Sequence, residues 1–454
     1  MSTPDLSRAS ALTLAKLVRE RAVSSEELVR GCLARIERYD PELTAFVQIT
    51  GPAALRDARR KDRLLATADP RSLPPFFGVP TAVKDLQFAR GTYTRFGSRA
   101  FRWLWSPVDD SLVARIRRGG FVVLGKLATS ELGAMPVTEP EIHAPTRNPW
   151  NREHSAGGSS GGTGAAVAAR LLPIAQGSDG AGSIRIPSSF CHLFGMKPSR
   201  GYVKAPYGKD NPQALSSYGP MGHSVDDVAA ALDVMAETPA SRALHELSRE
   251  KPPALRVRVT VDSALVSATP EIAAVVKRVA SLLESLGHHV EEGPFAEGSL
   301  EEFLPLWQWG VSRAPVLRTS SLGPVARWLV EAGRTLEVGA VVERHTMLQR
   351  RLDSWFGDLD LCVTPTVAEP PPRIGAWASL PPEEAFARAA RVGAFTAPFN
   401  ITGQPAASIP AGLTADGLPI GVQIAGRRGE DGRVLAVCRQ LEEAMPWQGR
   451  EAPL

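Results

Sequence analysis

Two glycine- and serine-rich loops, Gly157-Gly158-Ser159-Ser160-Gly161-Gly162 and Gly177-Ser178-Asp179-Gly180-Ala181-Gly182-Ser183, flank one short stretch of small residues. That stretch reads as a helix over 163–170 followed by a short apolar strand over 171–175. Strand and helix signals alternate on both sides of it, which argues an α/β chain. Upstream, amphipathic helices are expected at 9–20 and 25–39, the second opened by Ser24 or Ser25 with Glu27 as a capping box. Charged helical stretches follow at 53–66 and 111–119. Buried strands are expected to end at Lys84 and to cover 121–125. A helix is expected to begin near Pro187.

In the second half, residues 236–256 are polar and contain proline, and could form a linker. Strands are expected at 255–261, 288–291, 359–364, 406–409 and 420–424, and helices at 270–287, 323–356 and 429–444. A turn at Asp416-Gly417 separates the last two strands. No repeat of solenoid type is present. The simplest organisation is one domain over 1–454, with a core carrying residues 157–188 and a more variable half at about 236–395.

Composition removes several function classes. Hydrophobic residues are 43% and charged residues 22%, enough apolar material for a sizeable core in 454 residues. The formal charge of +4 is a weak bias at this length, and no run of five or six basic residues points to nucleic acid. No eighteen apolar residues run together, so no membrane span is expected. The N-terminus lacks the basic and apolar regions of a signal peptide. Cys32, Cys191, Cys362 and Cys438 lie far apart without metal-ligand spacing, which fits reduced thiols in a cytoplasmic protein. Only nine of the 52 basic residues are lysine, so a lysine in an apolar context stands out.

Glycine for turns and serine for caps is the ordinary reading of such loops. No G-x-x-x-x-G-K-[ST] phosphate loop is present, and no G-x-S-x-G surrounds Ser183. Taken together, however, Gly158, Ser159, Ser160, Ala175, Gly177, Asp179, Ser183, Arg185 and Pro187 resemble the signature of the amidase signature family. The resemblance extends to Gly78-Val79-Pro80 through Val83-Lys84-Asp85, to Gly125-Lys126 and to Pro145 through Pro149. It continues to Thr364-Pro365-Thr366, Phe399 through Gly403, and Gly417 through Gln423. Nearly the whole chain is covered. Ala181 stands where the family commonly has glycine, and Ala156 where proline is common.

The resemblance implies an α/β/α sandwich around a large mixed sheet. It places the nucleophile on Ser183, a bridging serine in an unusual cis peptide on Ser159, and the lysine on Lys84. It places the oxyanion-binding turn on the backbone of Gly180, Ala181, Gly182 and Ser183. It also implies a small-molecule amide substrate and a homodimer.

The chemistry needs those residue types. A serine hydroxyl is a weak nucleophile until a base takes its proton. Lysine serves as that base only when neutral near pH 7, which burial promotes. Consecutive backbone N–H groups at a glycine-rich turn suit a tetrahedral oxyanion. The expected reaction is a covalent one, through an acyl-enzyme on Ser183, with no metal and no organic cofactor. Ser160, Asp179 and Arg185 read as supporting residues, and Asp85 as structural. Cys191 and His192 read as core. Trp307, Trp309 and Trp328 could line a substrate pocket in the variable half, with buried core as the simpler reading. Two alternatives accompany this reading: the glutaminase subunit of a glutamyl-tRNA amidotransferase, and a non-catalytic binding protein on the same fold.

Overall fold

The computed structural model describes residues 6–206, 214–236 and 242–453. Its N-terminal helices sit where periodicity and caps put them, at Ala11–Arg19, Ser25–Leu43 and Gly51–Thr67. Ser24 and Glu27 form a reciprocal capping box, each satisfying a backbone N–H that the first turn leaves without a partner.

Eleven strands build the frame. Strands β1 (Phe46–Ile49), β2 (Pro80–Lys84) and β3 (Val122–Leu127) form a three-stranded sheet in the order β1-β3-β2, β2 running parallel to β3. The others are β4 (Ile174–Asp179), β5 (Phe194–Lys197), β6 (Ser217–Gly222), β7 (Arg256–Val259), β8 (His289–Glu292), β9 (Leu361–Pro365), β10 (Ala406–Leu413) and β11 (Pro419–Gly426). They form one mixed sheet in the order β8-β7-β9-β11-β10-β5-β6-β4. Strand β7 is parallel to β8 and β9, and the remaining pairs are antiparallel. The two sheets meet edge to edge through side chains. Thr81 Oγ1 donates to the Ile174 carbonyl at 2.9 Å, and the Lys84 N–H donates to Gln176 Oε1 at 3.0 Å. This seam sets the end of β2 beside β4.

Helices cover both faces of the large sheet. On β11, Val422 and Ile424 face the core shared with helices Val225–Met235, Pro270–Ser285 and Asp431–Ala444. The alternate residues Gly421 and Gln423 face the short helix Arg185–Phe190. That helix lies so close that a Cβ on Gly421 would come within 2.6 Å of Ser189 Oγ. Among the described residues no helix is long and apolar enough to cross a membrane, and all four cysteines are unpaired.

Several expectations need correction. The strand expected at 171–175 runs from Ile174 to Asp179, because Gly177-Ser178-Asp179 pairs with Ser217-Tyr218-Gly219 instead of forming loop. The stretch 323–356 is two helices, Pro324–Arg334 and Val338–Phe356. The linker expectation at 236–256 partly falls on 237–241, outside the described residues. The described part holds a short helix, Leu244–Leu247, with Leu244 buried. Strand β6 was hidden by its own glycines and Pro220. It tolerates the proline because β5 pairs only with Met221 and Gly222, so the ladder on that side does not reach residue 220.

Candidate active site

Lys84 is the last residue of β2 and is fully buried. Its Nζ lies 2.7 Å from Ser159 Oγ and 3.0 Å from Ser178 Oγ, with the Ser178 carbonyl at 3.4 Å. Burial pulls the ammonium pKa down to about 7, opposed only in part by the negative charge of Asp179. The peptide bond between Gly158 and Ser159 is cis. Ser160 donates to the Ser178 carbonyl at 3.1 Å and accepts from the Ser178 N–H at 3.3 Å, tying the first loop to β4. Ser178 therefore touches both the lysine and the loop. It was not singled out from sequence, where it is one more serine among glycines.

Asp85 does not oppose the neutral lysine directly. Its carboxylate is held by Lys126 Nζ at 2.8 Å and by the Arg95 N–H at 3.1 Å.

Beyond β4 the chain turns sharply, and Asp179 organises the turn. Its Oδ1 accepts from the Gly182 N–H at 2.7 Å, and its Oδ2 from the Ile184 N–H at 3.1 Å. The Arg185 guanidinium adds Nε to Oδ2 at 2.9 Å and a second N–H to Oδ1 at 2.8 Å, with both side chains shielded from solvent. Burial alone would raise the carboxyl pKa. The Arg185 charge outweighs it, so Asp179 stays ionised well below the usual carboxylate range. Arg185 reaches on to the Thr396 carbonyl (2.9 Å), Gln423 Oε1 (2.7 Å) and Asn400 Oδ1 (2.6 Å). Asp179 and Arg185 are thus structural. Asn400 and Gln423, which sequence reasoning left outside the site, are their partners. The available signal was a polar side chain inside an otherwise apolar strand or helix.

The turn corrects one expectation about anion binding. The Gly182 N–H is spent on Asp179, while those of Gly180, Ala181 and Ser183 have no partner among the described residues. Ala181 lies outside the positive-φ region, so alanine there carries no backbone cost. Thr396 Oγ1 fixes the Ala181 carbonyl at 2.6 Å.

Ser183 is 7% exposed and opens, with Ala181, onto a largely apolar cavity. Ser159, Ser178 and Gly180 line a second cavity, and Gly133 and Trp307 border both. Trp307 and Trp309 therefore wall the cavities while packing against core clusters on their other side. Trp328 packs on Phe386, with ring centroids 5.8 Å apart. Cys191 and His192 are buried, the His192 ring edge-on to Trp150 at 5.1 Å. No cluster of His, Cys, Asp and Glu among the described residues has the arrangement of a metal site.

The amidase family model matches residues 27–435. The chain is similar to a 6-aminohexanoate-cyclic-dimer hydrolase of Pseudomonas sp. (strain NK87), 34% identical over 497 residues, covering 100% of this chain and 98% of that protein. It resembles the solved structure of 6-aminohexanoate cyclic dimer hydrolase complexed with substrate, with a TM-score of 0.89, 32% identity and coverage of 98% and 99% of the two chains. It also resembles a bacterial aryl acylamidase of the amidase signature family, with a TM-score of 0.87, 25% identity and coverage of 98% and 99%.

Proposed function

From the premise that this chain belongs to the amidase signature family, we propose that it hydrolyses a carboxylic amide through an acyl-enzyme on Ser183, with Ser159 and Lys84 as the proton relay. The observation that carries the relay is the 2.7 Å contact between Ser159 Oγ and a fully buried lysine whose pKa is drawn to about 7. A lysine poised there is partly neutral at physiological pH and accepts a proton.

Ser183 Oγ attacks the amide carbonyl carbon while its proton passes to Ser159 Oγ, and the Ser159 proton to Lys84 Nζ. A C–O bond forms, and the carbonyl oxygen takes the negative charge. The open N–H groups of Gly180, Ala181 and Ser183 stabilise it. Collapse breaks the C–N bond, and the relay returns the proton to the departing nitrogen. Water then attacks the ester by the same route, releasing the acid and freeing Ser183. The site residues needed for this are intact, which favours an enzyme over a binding protein on the same fold. The likenesses do not favour a glutaminase subunit.

The test is the intact mass after treatment with a fluorophosphonate. One adduct on the wild type and none on Ser183→Ala is the expected result. An adduct on the variant, or none on either protein, overturns the assignment of the nucleophile.

A further inference from the structure

We infer that the substrate is a secondary amide of an apolar acid whose amine half carries a carboxylate, the two halves lying in the two cavities that meet at Trp307; this rests on the hydrolase reading above.

The direction of proton transfer orients the substrate. The departing nitrogen must receive its proton from Ser159, so the amine half lies on the Ser159 side. Ser159 lines the second cavity, together with Ser178 and Gly180. The acyl half then extends the opposite way, into the cavity bordered by Ser183 and Ala181. Trp307 divides the two. Its Nε1 donates to the Ala134 carbonyl at 3.2 Å and its ring stacks on Phe303 at 5.8 Å. The indole edge stands 3.1 Å from where a Cβ on Gly180 would be.

The walls differ in chemistry. Met135, Leu265, Leu300, Phe303 and Phe386 line the acyl side. Its charged members do not face inward as free groups. Glu302 and Arg351 satisfy each other through two bonds of 2.7 and 2.9 Å, and Glu297 is exposed. An apolar acyl chain gains by burial there, and a charged one would lose its hydration. Across Trp307 the only charged residue lining the second cavity, among the described residues, is Arg313, an exposed side chain at its mouth whose guanidinium lies 5.9 Å from the Trp309 ring. It has no carboxylate partner among the described residues, so a substrate carboxylate on the amine half would supply one.

The experiment measures kcat/KM for four compounds, N-hexanoylglycine, N-hexanoylglycinamide, N-acetylglycine and N-(6-aminohexanoyl)glycine, on the wild type and on Arg313→Gln. Hexanoyl is expected to exceed acetyl by roughly ten-fold or more, from burial of four extra methylenes. The carboxylate is expected to exceed its neutral amide by about five-fold on the wild type, and this ratio is expected to fall to about one in Arg313→Gln. Three results overturn the inference: a preference for acetyl or 6-aminohexanoyl over hexanoyl, a carboxylate preference that survives in the variant, or turnover of none of the four by a protein that takes up fluorophosphonate at Ser183. Absence of the fluorophosphonate adduct would instead remove the hydrolase reading itself.

Discussion

Asp85 gives its carboxylate to Lys126 at 2.8 Å, and neither side chain is more than 2% exposed. Asp85 directly follows the lysine that the mechanism needs neutral, so its charge is matched on the far side, with Thr94 Oγ1 at 3.0 Å as a further partner of Lys126. Lys126→Met would strand a buried carboxylate. It is expected to destabilise the fold by about 3–5 kcal/mol. The double variant Lys126→Met/Asp85→Asn is expected to recover much of that loss. Urea unfolding of the three proteins measures it, and a single variant as stable as the wild type would show that the pair contributes nothing.

Activity is expected to rise with pH through about 7, because Lys84 must lose its proton before it can accept one from the relay. Lys84→Arg keeps the charge at every working pH and is expected to lower kcat on the order of 10²–10⁴-fold. A kcat/KM profile with no acid limb near 7 would remove Lys84 from the role of base.

Stability also rises with pH at the same residue, over the window above that pKa. The unfolded lysine holds its proton to about pH 10.5 and the folded one only to about 7. The unfolded state thus binds more protons between those values, and Lys84 contributes stability that rises with pH across that window. Below pH 7 its full burial penalty is present. Lys84→Met is therefore expected to be more stable than the wild type at pH 6, with the difference shrinking toward pH 10. Thermal melts across that range decide it, and a variant less stable at pH 6 would contradict the sign.

The neighbouring serines separate chemistry from bracing. Ser159→Ala removes the hydroxyl against Lys84 and is expected to cost on the order of 10²–10⁴-fold in kcat. Ser160→Ala loses its bonds to Ser178 and is expected to cost about 1 kcal/mol of stability with a much smaller effect on rate. Equal rate losses in both variants would mean that Ser159 acts only by holding the loop.

The glycines of the turn are not equivalent. Gly182 has φ of +128°, and a Cβ there would meet Thr396 Oγ1 at 2.3 Å and Ile186 Cδ1 at 2.7 Å. Gly182→Ala is expected to destabilise by about 1–3 kcal/mol and to abolish fluorophosphonate labelling. Gly180→Ala meets the Trp307 ring edge at 3.1 Å, with Ser216 Oγ in ordinary contact at 3.5 Å. Trp307→Leu in the same chain is expected to relieve it, as measured by labelling rate.

Much of this was legible in the sequence wherever a rule is local. The Ser24–Glu27 cap, the buried run ending at Lys84 and the two loops are each specified by neighbours within a few residues. The mixed sheet flanked by helices followed from alternation and family likeness. What stayed hidden depends on distant partners. Pairing with Ser217–Gly222 converts half of the second loop into strand, and no local signal announces it. The Gly182 N–H was counted as an oxyanion donor because the sequence does not say which way a side chain as short as Asp179 will turn. Trp307 stayed open between pocket and core because an aromatic residue looks the same from sequence whether it faces packing or a cavity.

The Asp179–Arg185 pair receives Thr396, Asn400 and Gln423 from more than two hundred residues downstream. A growing polypeptide that has just exposed Ser183 at the ribosome has none of these partners, and its nucleophile turn has nothing to close upon. The bracing of this turn is thus a property of residues 396–423, and a chain that stops short of them lacks it.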